Sequence, residues 1–88
     1  MFYTYIYYSL SDKRFYIGYT NNIERRVCEH GRGKVVSTSK RNDLKLIFYE
    51  AYFSEKDARR REKYFKTTKG KKGLRQMLSE SLKEINKK

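Results

Sequence analysis

The sequence predicts an α+β domain, helices packed on a small sheet in the order ββαβαα. Three observations predict it. Two runs dense in Tyr, Ile and Phe flank a short polar stretch, and a third such run lies in the middle of the chain. The segments that follow the second and third runs open on helix-start residues and carry apolar positions at helical spacing.

Residues 2–8 and 15–20 are the first two runs, and Ser9–Arg14 between them is turn-like, so the N-terminus reads as a β-hairpin. Asn21 is placed to cap a helix with Glu24 three residues on, and Gly31 and Gly33 end that helix after about His30. Residues 31–43 carry Gly, Ser, Thr and basic side chains without hydrophobic periodicity and are expected to form a mobile basic loop. A third strand follows from Leu44 to Phe53. Ser54-Glu55-Lys56-Asp57 has the Ser-x-x-acid form of a capping box, which starts a helix at Glu55 that runs to about Thr67. A C-terminal helix over 70–86 sets Leu74, Met77, Leu78, Leu82 and Ile85 on one stripe. With 88 residues, no internal repeat and no proline, the chain is expected to be a single domain, 1–88.

Twenty-two Lys and Arg against ten Asp and Glu leave a formal charge of +12. Such a charge repels itself in a compact body unless a polyanion screens it, so nucleic acid is the leading partner. A membrane surface fits less well, because no segment joins a basic face to a broad apolar one, and no apolar run reaches the roughly 18 residues of a span. The aromatic N-terminus lacks the basic start and small-residue cleavage site of a secretory signal. The single Cys28 has no disulfide partner and no zinc-type spacing, so it reads as a small half-buried filler in a reducing compartment. A cytoplasmic monomer is expected.

The chemistry-bearing residues start at Tyr16-Ile17-Gly18-Tyr19-Thr20, followed by Arg25-Arg26 and by His30, the one histidine. Arginine holds phosphate charge, and tyrosine and histidine move protons. A 100° step per residue puts Ile23, Val27 and His30 within about 60° of one another, with Arg26 about 40° beyond, so Arg26 and His30 border a buried stripe while Arg25 points elsewhere. Either could instead serve only the helix, His30 by complementing its dipole and Arg26 as a solvated charge. On the second helix Ala58, Glu62 and Phe65 share a face, which puts a carboxylate where an apolar residue is expected. Glu62 there either binds a metal or pairs with one of Arg59, Arg60, Arg61 and Lys63. Two-ion nucleases need several carboxylates around metals about 4 Å apart. Here Asp12 falls in a turn, Asp43 precedes a strand, and Glu24 and Glu29 point off the face, so one ion on Glu62 would have to suffice. The composition does not choose the proton-transfer group among Tyr5, Tyr16 and His30.

Tyr5, then Tyr16-Ile17-Gly18 eleven residues on, then Arg26, His30 and Glu62, resemble the GIY-YIG nuclease family in order and spacing. Thr20-Asn21-Asn22-Ile23-Glu24-Arg25-Arg26 and Ala58-Arg59-Arg60-Arg61-Glu62-Lys63 extend the likeness, which covers roughly residues 3–75 and looks like a small stand-alone bacterial member related to the nuclease domain of the UvrC repair protein. The resemblance implies a three-stranded antiparallel sheet flanked by helices, with the active site on one sheet face. It implies Tyr5, Tyr16, Arg26 and His30 as catalytic residues, Gly18 as a structural residue of the site, and Glu62 as the ligand of one Mg²⁺ or Mn²⁺. Tyr3-Thr4-Tyr5 stands where the family has Gly-Ile-Tyr, and Tyr7, on the same strand face, competes with Tyr5. Thr67, Thr68 and Gln76 are candidates for the family's polar amide position beyond the glutamate.

The resulting expectation is a metal-dependent DNA endonuclease. Gly18 would let substrate approach the backbone closely. Arg25, Arg32, Lys34, Lys40 and Arg41, with Lys69, Lys71, Lys72 and Arg75, would track the phosphate backbone. A non-catalytic nucleic-acid-binding module on the same scaffold is the rival class, and a domain acting through protein partners is a third.

Overall fold

The computed structural model describes residues 1–31 and 44–87. Three strands, β1 (Phe2–Ser9), β2 (Phe15–Thr20) and β3 (Leu44–Tyr52), form an antiparallel sheet in the order β2-β1-β3. Four helices accompany it: α1 (Ile23–Gly31), α2 (Glu55–Phe65), α3 (Thr68–Met77) and α4 (Ser79–Ile85). The expected α+β class and its order hold, and the C-terminal helical segment is divided at Leu78, whose φ and ψ of −106° and 24° leave the helical region.

The hairpin is closed by its own polar residues. Lys13 N–H donates to Ser9 O and Ser9 N–H to Arg14 O, both at 2.9 Å, while Lys13 takes the left-handed conformation (φ 60°) that reverses the chain. Asp12 accepts the Arg14 N–H at 3.1 Å, which fixes its carboxylate against the start of β2.

Helix α1 starts one residue later than Asn21 would place it. Asn22 is the cap, its Oδ1 accepting the Arg25 N–H at 3.0 Å. Helix α2 starts at Glu55 as the capping-box spacing predicts, although the Ser54 side chain makes no capping bond. It ends at Phe65, because Thr67 turns back on it: the Thr67 N–H and Oγ1 both donate to Tyr64 O, at 3.0 and 2.6 Å. Thr67 then caps α3 by accepting the Gly70 N–H at 3.0 Å, two residues ahead of the expected start. That corner is tight enough to require glycine, since a Cβ on Gly70 would lie 2.0 Å from Tyr64 O.

Each face of the sheet carries its own apolar cluster, and central β1 feeds both. Ile6 and Tyr8 point to one face and pack with Phe15, Phe65, Leu74 and Leu78, with Leu82 and Ile85 against them. Met77, expected on the same stripe, is 52% exposed: the stripe runs 74-78-82-85 and leaves it to solvent. Tyr5 and Tyr7 point to the other face with Leu44, joined by Tyr16, Ile23 and Leu46. Alternation along the strand alone explains the division.

Helix α2 is fastened to the first face at three points. Thr4 Oγ1, fully buried, donates to Ala58 O at 2.6 Å. Phe65 is buried against Phe48, ring to edge. Arg61 grips Glu50 of β3 through two bonds, Nε to Oε1 at 2.9 Å and Nη2 to Oε2 at 3.0 Å. Burial pushes the Glu50 carboxyl up, but the bonds from Arg61 and Tyr52 outweigh it and hold it below the usual carboxylate range.

Candidate active site

Tyr5 sits at the centre of the candidate site because β1 is the central strand and Gly18 lies directly across from it in β2. The phenol of Tyr5 occupies the space that a side chain on residue 18 would need. A Cβ there would stand 2.2 Å from Tyr5 Oη and 2.3 Å from Cζ. Gly18 therefore makes room for Tyr5, and the close approach it permits is intramolecular, where the sequence suggested approach by substrate.

Helix α1 brings Arg26 to the same point. Its Nε donates to Tyr5 Oη at 2.8 Å, and its guanidinium carbon lies 5.5 Å from the Tyr5 ring centre. Arg26 is half-buried, and the bond to Tyr5 uses one of its five guanidinium donors to fix its position. The predicted stripe is narrower than expected: Ile23 joins the cluster, but Val27 is 41% exposed. His30 lies in the last turn of α1; its side chain, like that of Cys28, falls outside the described residues.

Tyr7 packs edge-on to Tyr5 at 5.5 Å. Burial raises its pKa, the neighbouring Tyr5 raises it further, and Arg26 offsets part of this, so its phenolate is disfavoured. That weakens its claim as a base against Tyr5. Tyr16 stands opposite Tyr7 in β2 and donates its hydroxyl to Asp12 Oδ2 at 2.8 Å. Asp12 had only a turn role in the sequence, and its spacing four residues ahead of Tyr16 across a tight hairpin end was the available signal.

Glu62 comes from α2, the helix packed on the other face of the sheet. Ala58 and Phe65 point from α2 onto the sheet face opposite to Tyr5, and from that axis Arg61 leans toward β3 while Glu62 leans toward the edge strand β2. Its side chain is 17% exposed, and Oε2 accepts from Lys66 Nζ at 3.1 Å. The pairing residue is Lys66 at i+4, which the sequence reading of Arg59, Arg60, Arg61 and Lys63 had passed over; Arg59, Arg60 and Arg61 are paired with Glu55, Asp57 and Glu50. Tyr5, Gly18 and Arg26 are thus brought together on one sheet face, while Glu62 comes from the helix packed on the other face, near Tyr19 of the edge strand β2.

Tyr19, beside Gly18, is what α2 meets at that edge. Its hydroxyl donates to Glu55 Oε2 at 2.8 Å, and the Arg59 guanidinium covers its ring at 3.9 Å. Desolvation, the Glu55 bond and the nearby charges of Glu55 and Glu62 raise its pKa.

Among the described residues no group of three or more His, Cys, Asp or Glu side chains is placed to hold a metal. Of the amide-position candidates, Thr67 is used as a helix cap, and Thr68 and Gln76 are exposed. Arg25 is exposed on α1, and Lys69, Lys71, Lys72 and Arg75 are exposed on α3. The expected basic loop with Arg32, Lys34, Lys40 and Arg41 lies outside the described residues.

A family model for the GIY-YIG catalytic domain matches residues 1–75. The chain belongs to the GIY-YIG family. It is 34% identical over 76 residues to a UPF0213 protein of Clostridium perfringens, covering 85% of this chain and 82% of that one. It is 41% identical over 68 residues to a UPF0213 protein of Limosilactobacillus reuteri, covering 74% and 70%. The solution NMR structure of a UPF0213 protein from Bacillus halodurans superposes with a TM-score of 0.56 at 31% identity, over 88% of this chain and 85% of that one. GIY-YIG is a nuclease domain family, and nucleic acid is the substrate class that membership implies. No described helix is long and apolar enough to cross a membrane.

Proposed function

We propose that this GIY-YIG protein is a divalent-metal-dependent endonuclease that hydrolyses DNA phosphodiester bonds as a cytoplasmic monomer. The observation that carries the reading is the Arg26–Tyr5 bond over Gly18. A half-buried arginine is held by its Nε against a candidate proton-transfer hydroxyl, and its guanidinium carries further N–H donors of the kind that grip phosphate oxygens.

Glu62 fits a single hard cation. Its carboxylate is an oxygen donor mostly shielded from water, and the bond from Lys66 engages Oε2. Mg²⁺ is commonly held by one or two carboxylates while keeping several waters. When bound, the ion would polarise the scissile phosphate and stabilise the leaving 3′-oxygen. Arg26 binds the non-bridging oxygens as their negative charge develops. Tyr5 or Tyr16 orients or deprotonates the attacking water, with Asp12 setting the direction of the Tyr16 hydroxyl. His30 has the proton-handling role that the family resemblance implies for it.

The rival, a binding module without catalysis, is favoured by the ion pair that Lys66 makes with Glu62. Supercoiled, branched and single-stranded DNA incubated with Mn²⁺ separates the two. Cutting by wild type that Glu62→Ala abolishes supports the enzyme; no cutting by either protein, with salt-sensitive DNA binding retained, supports the module.

A further inference from the structure

Arg14 at the start of β2 and Lys71, Lys72 and Arg75 on α3 converge on a cavity of about 530 Å³ between the edge strand and the helix. Thr68 and two aromatic side chains, Phe15 and Tyr16, complete its wall, and among the described residues no carboxylate lines it. One of its cations is fixed in place. Arg75 Nη2 donates to Lys13 O at 2.8 Å, and its guanidinium lies 5.0 Å over the Phe15 ring. Four cations around one concavity repel one another, and an anion entering it turns that repulsion into attraction.

Tyr16 ties the cavity to the candidate active site. Its side chain packs in the cluster of Tyr5 and Tyr7 on one side and forms cavity wall on the other. We propose that this cavity is a phosphate-holding subsite for the nucleic-acid substrate, gripping the backbone beside the bond that is cut. The inference rests on the nuclease reading above and adds to it a defined binding point. It includes Arg14, to which the sequence assigned no part, and it leaves out Lys69. A backbone phosphodiester carries one negative charge and a terminal phosphomonoester close to two, so internal phosphates and a phosphorylated end share the chemistry that fits here.

Binding of a fluorescent duplex, followed by anisotropy in EDTA across a salt series, tests it. Lys71→Gln/Lys72→Gln removes two exposed cavity cations and leaves the structural Arg75 untouched. Lys45→Gln/Lys83→Gln removes the same charge elsewhere. The cavity pair should weaken binding at least about tenfold near physiological salt and flatten the log–log salt slope by close to 2, since each lost phosphate contact removes about 0.9. The control pair should change each by less than half as much. Equal losses in the two double variants would overturn the proposal and leave only diffuse charge attraction. A larger loss on duplexes with 5′-phosphates than on those with hydroxyl ends assigns the subsite to strand ends; equal losses assign it to internal phosphates. Because binding is read without metal, it separates from catalysis. Cavity-dependent binding without Mn²⁺-dependent cutting keeps the subsite and removes the nuclease reading. Cutting and binding that both ignore the cavity pair do the reverse.

Discussion

Gly18→Ala is the sharpest perturbation of the candidate site, because its effect is dictated by one distance. The added Cβ would fall 2.2 Å from Tyr5 Oη and 2.7 Å from Cε1, well inside contact distance, and Tyr5 is only 5% exposed. The ring must therefore move within a packed cluster. Overpacking of this kind costs about 1–3 kcal/mol. Movement of the ring also breaks the bond from Arg26 Nε, worth roughly 1.5–3 kcal/mol for a charged donor and at the lower end here because Arg26 can rehydrate. A total of about 2.5–4.5 kcal/mol is expected, read as a lowered midpoint in urea unfolding with the slope unchanged. The control is the same substitution beside Tyr5→Ala, where the clashing ring is gone. Gly18→Ala should there cost less than about 1 kcal/mol, since Gly18 does not use the left-handed backbone that only glycine adopts freely. Equal costs in the two backgrounds would refute the account, because residue 18 would then matter for something other than the room it leaves for Tyr5.

Two further outcomes follow from charged groups. Glu50 has its folded pKa held below the unfolded value, so its pair with Arg61 stabilises fully above the ordinary carboxylate range and fades as pH falls through the depressed value. Glu50→Gln should lower stability at neutral pH and flatten its decline under acid; an acid limb as steep as that of wild type would exclude Glu50 as a source. Lys66→Gln removes the cation on the Glu62 carboxylate and should tighten Mn²⁺ binding a few-fold, about what one nearby charge is worth at a partly exposed site. The free-ion EPR signal of Mn²⁺ measures this directly, and weaker binding in the variant would count against Glu62 as the ligand.

The strands were legible because aromatic and β-branched residues crowd into short runs around an obvious polar turn, and the starts of α1 and α2 because cap-type residues stand within a residue of them. What stayed hidden depended on partners distant in sequence. Gly18 read as a place for substrate because nothing in a linear chain says that Tyr5 lies across from it. Glu62 read correctly as an odd carboxylate on a buried face, yet its partner was Lys66, one turn on, because Arg59, Arg60 and Arg61 are committed to Glu55, Asp57 and Glu50. Val27 and Met77 fit a helical stripe by angle alone, but burial depends on what stands opposite, and both are exposed. The cavity at Arg14 needs residues 14 and 75 side by side, a proximity created only by docking α3 on the hairpin.

The separation of these residues along the chain has a consequence for how the candidate site comes together in time. Tyr5, Gly18 and Arg26 lie within a stretch of 22 residues that a hairpin and one helix bring into contact, so their meeting depends on short loops that close quickly. Glu62 arrives only when α2 docks across more than fifty residues of chain, held at Thr4 and Glu50. A local opening of α2 would carry off the carboxylate and leave the tyrosine–arginine pair standing. Two halves of the proposed chemistry would then be gated by the stability of a single helix–sheet contact.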